Sequence, residues 1–245
     1  MRIGTCTDIG KTRPINEDNF YVSEYVSRPG VIYALVADGM GGHNAGETAS
    51  EIATVEVSDF INRNYTVDVP QEEIKNMLTA AIKSANKKIY SGARENAAYY
   101  GMGTTITAMF YYDTYVTIAH VGDSRAYILR DDMIHKLTQD HSLVAELLAN
   151  GQITPEQARN HPQKNVITRA VGTDADVTVD IYELGTQPGD IILLCTDGLS
   201  NLLSDAEIKD LIRESGKMED AAKALVDAAN EKGGFDNITA VLMQI

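Results

Sequence analysis

Aspartates recur where apolar stretches of the chain meet turn-forming residues. The pattern occurs five times, at Glu17–Asp18, Asp38, Asp123, Asp197 and Asp236. An Asp-Gly or Asp-Asn pair taken alone is ordinary turn chemistry, and Asp113 and Asp131–Asp132 fit that interpretation. Five occurrences favour a second interpretation, in which strand ends converge and bring several carboxylates together.

Converging carboxylates remain ionised together only when a cation lies among them. Oxygen ligands, with no Cys/His cluster of zinc spacing, select a hard ion such as Mg²⁺ or Mn²⁺. Two such ions about 4 Å apart would activate water for displacement at a phosphoryl group. Gly39, after Asp38, would let its carbonyl approach an ion, and Gly41 and Gly42 would leave room for a substrate.

This chemistry needs a cation to orient the phosphate. Arg13 stands just before Glu17–Asp18, and a guanidinium binds phosphate oxygens bidentately. From spacing alone, a solvated surface arginine is an equally good interpretation of Arg13. The sequence therefore suggests a phosphate-binding role for Arg13 without deciding it.

Composition narrows the class of protein. The 245 residues include 35 acidic and 21 basic side chains, a formal net charge of −14, which makes nucleic acid a poor partner. The longest apolar runs are short, as at 31–37, so no membrane insertion is expected. The N-terminus has no signal-peptide apolar region. Cys6 and Cys195 are far apart, which fits two free, buried thiols in a reducing cytosol, and we expect a cytoplasmic protein.

The elements that must position these residues alternate in groups of strands and groups of helices. The sequence predicts strands at 31–37, 104–112, 115–121, 125–129, 133–137, 177–184, 190–195 and 237–243. It predicts helices at 46–62, 71–97, 143–150, 204–213 and 218–230, and one that begins at Thr154. This order indicates an α+β fold of two packed antiparallel β-sheets flanked by helix pairs. No linker divides the chain, so residues 1–245 are expected to form a single domain.

Eight short motifs, in order along nearly the whole chain, resemble one family. They are RPINED at 13–18, VADGMGGH at 36–43, GTT at 103–105, HVGDSR at 120–125, LTQDHS at 137–142, ITRAVG at 167–172, CTDGL at 195–199 and GFDNIT at 234–239. The chain resembles the metal-dependent serine/threonine protein phosphatases of the PPM or PP2C type, in their short bacterial form. The resemblance implies an α-β-β-α sandwich with antiparallel helix pairs, in agreement with the element pattern.

The resemblance also implies roles for individual residues. Asp38 would bridge two ions, with the Gly39 carbonyl joining the second. Asp197 and Asp236 would complete the first site, while Asp18, and with it Glu17, would act through metal-bound water. Asp123 and Asp197 would bind a third, weaker ion, and Arg13 would hold the phosphate. The implied reaction is attack on phosphoserine or phosphothreonine by a hydroxide that bridges two Mn²⁺ or Mg²⁺ ions, without a phosphoenzyme.

One position departs from the better-known eukaryotic pattern of this family. There, the residue after Asp-Gly is a histidine proposed to protonate the leaving group, whereas this chain has Met40, which cannot donate a proton. A metal-bound water or His43 could take this role, and an exposed loop histidine is an equally good interpretation of His43. The segment at about 143–165 corresponds to the flap of bacterial members, and we expect it to influence substrate access. An ordinary surface segment is the alternative.

The resemblance implies phosphorylated proteins as substrates, and a serine/threonine kinase and its substrates as partners. We expect a monomer by default. Two other functions stay open at this point. A catalytically weak relative could bind phosphoproteins, although none of the expected metal aspartates is missing. Another two-metal phosphoesterase could act on small phosphates or nucleic acid, which the motif order and the charge disfavour.

Overall fold

The computed structural model describes residues 1–23, 31–42, 45–66, 69–159 and 161–245. Its strands are β1 (Arg2–Asp8), β2 (Asp18–Val22), β3 (Ile32–Met40), β4 (Gly103–Thr104), β5 (Ile106–Tyr112), β6 (Tyr115–Val121), β7 (Arg125–Arg130), β8 (Met133–Lys136), β9 (Asp180–Gly185), β10 (Ile191–Cys195) and β11 (Ile238–Gln244). Its helices are α1 (Ala45–Asn64), α2 (Gln71–Glu95), α3 (Leu143–Ala149), α4 (Pro155–Arg159), α5 (Asp197–Ser200), α6 (Asp205–Glu214) and α7 (Met218–Glu231).

The strands form two antiparallel sheets. The first has the order β1-β11-β10-β7-β8 and the second the order β2-β3-β5-β6-β9, with β4 paired to the end of β3. The predicted α+β class and the two antiparallel sheets are therefore confirmed. Each sheet contributes strands that begin or end at the candidate site.

Alternation along each strand explains why four layers form. On β3, Tyr33 and Leu35 pack with α1 and α2, while Ala34 and Val36 point to the opposite face and pack against the first sheet. The first sheet does the same, since Leu193 of β10 packs with α6 and α7. The protein thus has four layers, in the order helix pair, sheet, sheet and helix pair, and an apolar cluster fills each of the three spaces between them.

Local capping signals in the sequence correspond to helix ends. Ser204 accepts a hydrogen bond from Glu207 N, and Ser204 N donates to the Glu207 carboxylate, which is a capping box at the start of α6. Thr154 and Gln157 exchange equivalent bonds before α4. Gly151 after α3 has φ +67°, the left-handed conformation expected of a glycine that closes a helix.

Several elements differ from the sequence-based predictions, and β2, which carries Asp18, was not among the predicted strands. The strand predicted at 31–37 continues through Asp38 and Gly39 to Met40, because β4 pairs with its end. Strand β1 was not predicted, and its Gly4 lies so close to α7 that an added Cβ would be 1.9 Å from Met218 O. Helix α5 was also not predicted, since four residues are too few for a helical period.

The predicted turn aspartates are confirmed in that role, because Asp113, Asp131 and Asp132 all have positive φ. Both cysteines are free, with Cys195 buried and Cys6 only partly buried. In the described parts of the chain, no helix combines the length and the apolar character needed to cross a bilayer.

Candidate active site

The site begins where β2 and β3 lie side by side. Asp18 is the first residue of β2, and antiparallel pairing sets it opposite Asp38 of β3. Asp38 is held from its other side by the end of β4 and the residue after it, since its N–H donates to Thr105 Oγ1 at 2.9 Å and its carbonyl accepts from Thr105 N and Thr104 Oγ1. The second sheet therefore supplies two adjacent carboxylates in fixed register.

The first sheet supplies two further carboxylates. Asp197 begins α5 directly after β10, and Asn201 Nδ2 donates to its Oδ2 at 3.0 Å. Asp236 stands just before β11, and Asn237 N donates to its Oδ1 at 2.9 Å. Both residues are partly buried, and β10 and β11 are neighbours, so Asp197 and Asp236 arrive on the same edge of the packed sheets.

Two buried threonines bind Asp18. Its Oδ2 accepts hydrogen bonds from Thr196 Oγ1 at 2.8 Å and from Thr239 Oγ1 at 2.7 Å. Because the Thr239 hydroxyl donates to Asp18, the Thr7 hydroxyl at 2.8 Å must donate to Thr239. Asp18 Oδ1, in contrast, is buried with no hydrogen-bond partner among the described residues. One oxygen of this carboxylate is held by the protein, and the other lacks a ligand.

Burial and mutual repulsion disfavour ionisation of these carboxyl groups. Burial raises the pKa of Asp18 to about 7, although the hydrogen bonds from Thr239 and Thr196 lower it. Burial and then Asp18 and Asp197 raise the pKa of Asp38 well above its usual range. Burial and Asp236 raise the pKa of Asp197 to about 6. A cation among these oxygens would remove the repulsion, so the donor set fits a hard divalent ion.

The backbone around Gly39 is too crowded for a side chain. A Cβ on Gly39 would lie 2.1 Å from Gly46 O and 2.6 Å from Glu17 O, and Gly39 N donates to Glu17 O at 3.0 Å. Glu17 itself is buried, and its Oε1 has no hydrogen-bond partner in the described residues. Burial raises the pKa of Glu17. The backbone is therefore closely packed where three segments come together, namely the start of α1, the end of β3 and the residues around Glu17.

Arg13 lies at the open side of the cluster. Its Nη2 donates to Asp236 Oδ2 at 2.9 Å, and its Nη1 is 3.7 Å from Glu17 Oε2. The side chain is 43% exposed, and the guanidinium has further N–H groups to donate. Arg13 is thus held beside the carboxylates with donors left for an anionic ligand.

Asn237 has a structural role that the sequence analysis did not assign. Its Oδ1 accepts from Glu17 N at 2.8 Å, and its Nδ2 donates to Ile9 O and Ile15 O, both at 2.9 Å. The side chain is buried, so it fastens the segment that carries Arg13 and Glu17 to the start of β11. Asn237, Thr196 and Thr239 all lie within motifs already recognised, which was the available signal.

Asp123 lies next to the same cluster. It follows Gly122, which has φ +115° in the turn between β6 and β7. Burial and Asp197 raise the pKa of Asp123 to about 7, so the two carboxyl groups affect each other. A cleft of about 750 Å³ opens at Asp123 and Asp197, with Leu148 of α3 among the residues that line it. The predicted flap segment therefore borders the candidate site.

Met40 and His43 both bear on the source of the proton for the leaving group. His43 lies outside the described residues. Met40 ends β3 and has no group that could donate a proton. Among the described residues, no group of three or more His, Cys, Asp or Glu side chains has the arrangement needed to hold a metal ion, so the ligand roles are proposals.

Comparison with known proteins places this arrangement in a family. The protein phosphatase 2C model matches residues 11–242. The chain is 42% identical over 238 residues to the serine/threonine phosphatase stp of Listeria innocua, with 97% of this chain and 93% of that protein covered. The structure of the S. agalactiae serine/threonine phosphatase is similar with a TM-score of 0.90 and 39% identity, with 98% of both chains covered.

A further solved structure holds ions. The catalytic domain of the serine/threonine protein phosphatase PstP, in complex with two manganese ions, is similar with a TM-score of 0.84 and 32% identity, covering 98% of this chain and 96% of that one. The sequence motifs, the two packed sheets and these similarities agree with one another. The chain belongs to the protein phosphatase 2C family.

Proposed function

We propose that this protein hydrolyses phosphoserine and phosphothreonine in proteins, with two divalent ions, Mn²⁺ or Mg²⁺, bound by its carboxylate cluster. The observation that carries the proposal is Asp18, whose Oδ1 is buried next to Asp38 and has no hydrogen-bond partner among the residues that the structure describes. An orphaned carboxylate oxygen in a crowded acidic site is costly unless a cation binds there. The PstP structure in complex with two manganese ions supports Mn²⁺ as an ion for this site.

The metal ligands proposed are Asp38, Gly39 through its carbonyl, Asp197 and Asp236, with Asp18 as an outer ligand that acts through water. Such ions, when bound, lower the pKa of water and neutralise charge on phosphoryl oxygens. The threonines on Asp18 and the register of β2 with β3 fix the carboxylates before any ion arrives. This preorganisation is what a phosphoryl-transfer site needs most.

We propose that Arg13 binds the phosphate of the substrate. Its contacts with Asp236 and Glu17 hold the guanidinium next to the carboxylates, so it can present parallel N–H groups to two phosphate oxygens. The leaving serine or threonine oxygen must also gain a proton. Met40 cannot donate one, so we propose His43 as a candidate donor on the basis of its position in the sequence.

Several finer features belong to the same proposal. A third, weaker ion would bind at Asp123 and Asp197, which already influence each other electrostatically. Residues 1–245 would act as a single domain, in which residues 143–165 form the flap and influence substrate access. The substrates would be phosphorylated proteins under the control of a serine/threonine kinase, in the cytoplasm, and the protein would act as a monomer.

The first experiment is phosphate release from a phosphothreonine peptide. We expect turnover with Mn²⁺, none with excess EDTA, and a loss of at least a hundredfold in Asp38→Asn, because this change removes a charge that the ions need. Asp131→Asn is the matched control, since it makes the same chemical change in a turn with positive φ, a conformation that asparagine adopts readily. It should retain full turnover.

Two results would contradict the proposal. Turnover that persists in EDTA would exclude a metal-dependent reaction. A well-folded protein with no turnover at any concentration of Mn²⁺ or Mg²⁺, but with retained affinity for the phosphopeptide, would favour a phosphoprotein-binding function instead.

A further inference from the structure

The flap, residues 143–165, departs from and returns to the rest of the protein at one place. Leu143 N donates to Val166 O at 2.9 Å, and Thr168 N donates to His141 O at 2.9 Å. Between these bonds, Ser142 and Ile167 form an isolated antiparallel bridge. His141 therefore stands at the base of the flap, where its two ends are joined.

His141 is also bonded twice to the turn that carries Asp123. Its backbone N donates to Gly122 O at 2.8 Å, and Gly122 N donates to His141 Nδ1 at 3.0 Å. A backbone N–H can only donate, so Nδ1 is the acceptor and the ring proton is on Nε2. Nε2 then donates to Asp180 Oδ2 at 3.0 Å, and Arg169 donates to the other oxygen of Asp180 at 2.6 Å. The imidazole is therefore fixed in one orientation.

Neighbouring residues join the same two segments. His120 Nε2 lies 3.1 Å from Gln139 O, and the rings of His120 and His141 are 4.8 Å apart. Arg125, just after the Asp123 turn, binds both carboxylate oxygens of Asp140 at 2.8–3.1 Å. Residues 120–125 and 139–141 are thus held together along their length.

The other side of Gly122 is closed by Thr105. A Cβ on Gly122 would lie 2.5 Å from Thr105 Cγ2, so the turn has no space to move in that direction. Thr105 Oγ1 accepts from Asp38 N. The turn of Asp123 is therefore enclosed between a residue that holds Asp38 and the imidazole of His141. A change of the His141 side chain removes the bond from Gly122 N, and it leaves the Thr105 side and the backbone bond from His141 N to Gly122 O intact.

We propose that His141 is a positioning residue, which holds Asp123 in place for cation binding by fastening the Asp123 turn to the base of the flap. This inference rests on the proposed function, because it concerns the third ion assigned there to Asp123 and Asp197. It predicts that the affinity of the weakest ion depends on the acceptor at His141 Nδ1. The two tighter ions, bound by Asp38 and its neighbours, should not depend on it.

Two amide variants separate the two ring nitrogens. His141→Asn can place Oδ1 near the position of Nδ1 and so accept from Gly122 N. His141→Gln places its amide near Nε2, where it can reach Asp180 but leaves Gly122 N without an acceptor. Calorimetric titration with Mn²⁺ counts the ions and measures each affinity without reference to turnover. The Mn²⁺ concentration for half-maximal hydrolysis of a phosphothreonine peptide is the second measurement.

We expect His141→Gln to lower the affinity for the most weakly bound ion by about tenfold, which is the effect of one lost buried hydrogen bond. The affinity of His141→Asn for this ion should stay within about twofold of that of the wild type. Equal affinities in all three proteins would overturn the inference, as would equal weakening of every ion or a wild type that binds only two ions. If His141→Gln does not fold, Asp180→Ala provides a second test, because it removes the acceptor of Nε2–H that holds the ring with Nδ1 toward Gly122 N. An unchanged weakest ion in that variant would also overturn the inference.

The two proposals fail in different ways. The proposed function fails when the wild-type protein has no metal-dependent turnover. The proposed role of His141 is contradicted when the wild type has normal turnover and His141→Gln and His141→Asn have the same affinity for the most weakly bound ion.

Discussion

Asp18 receives two hydroxyl hydrogen bonds on Oδ2 and, from the described part of the chain, none on Oδ1. The two donors, Thr196 and Thr239, are fully buried, and Thr239 N in turn donates to Thr196 Oγ1. A carboxylate held in this way cannot rotate its free oxygen away from the site. At the residue scale, therefore, uncharged side chains decide which carboxylate oxygens face the position proposed for the ions.

Thr239→Val tests this arrangement, because it keeps the shape of the side chain and removes the hydroxyl. We expect the Mn²⁺ concentration for half-maximal turnover to rise by about tenfold, in line with the loss of one charge-assisted hydrogen bond. Thr239→Ser keeps the hydroxyl and is the matched control. Activity measured over a range of Mn²⁺ concentrations provides the comparison, and an equal effect in both variants would assign the role to packing of the methyl group instead.

The sequence predicts acidic site residues more readily than the residues that hold them. Asp38 and Asp197 stand next to glycines at strand boundaries, a local signal. Thr196 and Thr239 bind Asp18 across 178 and 221 residues of sequence, so only the folded chain brings them together. Asn237 bonds to Glu17 across 220 residues in the same way. Such contacts depend on the order of the strands in the sheets, which the periodicity of apolar residues along the sequence does not reveal.

Elements with local signals were predicted closely at the scale of helices and strands. Ser204 and Glu207 mark the start of α6 within the sequence itself, and the structure has both bonds of the capping box. Strand β1 has no such local signal. Its Gly4 is needed because α7 packs directly against the strand, and this contact cannot be seen from the neighbouring sequence. The extension of β3 through Asp38 likewise depends on pairing with β4, more than 60 residues later.

Ser204→Ala should lower the free energy of unfolding by about 1 kcal/mol, because it leaves a helix N–H without its acceptor. Ser204→Gly should cost only a few tenths of that amount, since an unhindered backbone lets water replace the hydroxyl. Urea unfolding monitored by circular dichroism measures both, and the slope against urea should not change. Equal losses in the two variants would contradict a capping role.

At the scale of the whole molecule, the proposed ions lie between two sheets. Asp18 and Asp38 belong to the second sheet, whereas Asp197 and Asp236 adjoin strands of the first. The apolar cluster between their faces and the hydrogen bonds from Thr196 and Thr239 to Asp18 also join the two sheets. Without ions, like charges from the two sheets oppose each other at this edge. With ions, the same residues would link the two halves of the sandwich.

Mn²⁺ should therefore stabilise the folded protein, because it binds the native site and not the unfolded chain. At a free concentration one hundred times the dissociation constant, the gain is about 2.7 kcal/mol, which corresponds to a rise of roughly 5–10 °C in the unfolding midpoint for a chain of this size.

Asp38→Asn should be more stable than the wild type without ions and less stable with them. In EDTA this variant should melt above the wild type, because one repelling carboxylate is gone, whereas in Mn²⁺ it should melt below. Thermal unfolding of both proteins in both conditions measures the effect, with Asp131→Asn as the control that follows the wild type. A variant that melts below the wild type in EDTA would show that Asp38 stabilises the fold without ions, and the site would then not carry the charge repulsion described for it.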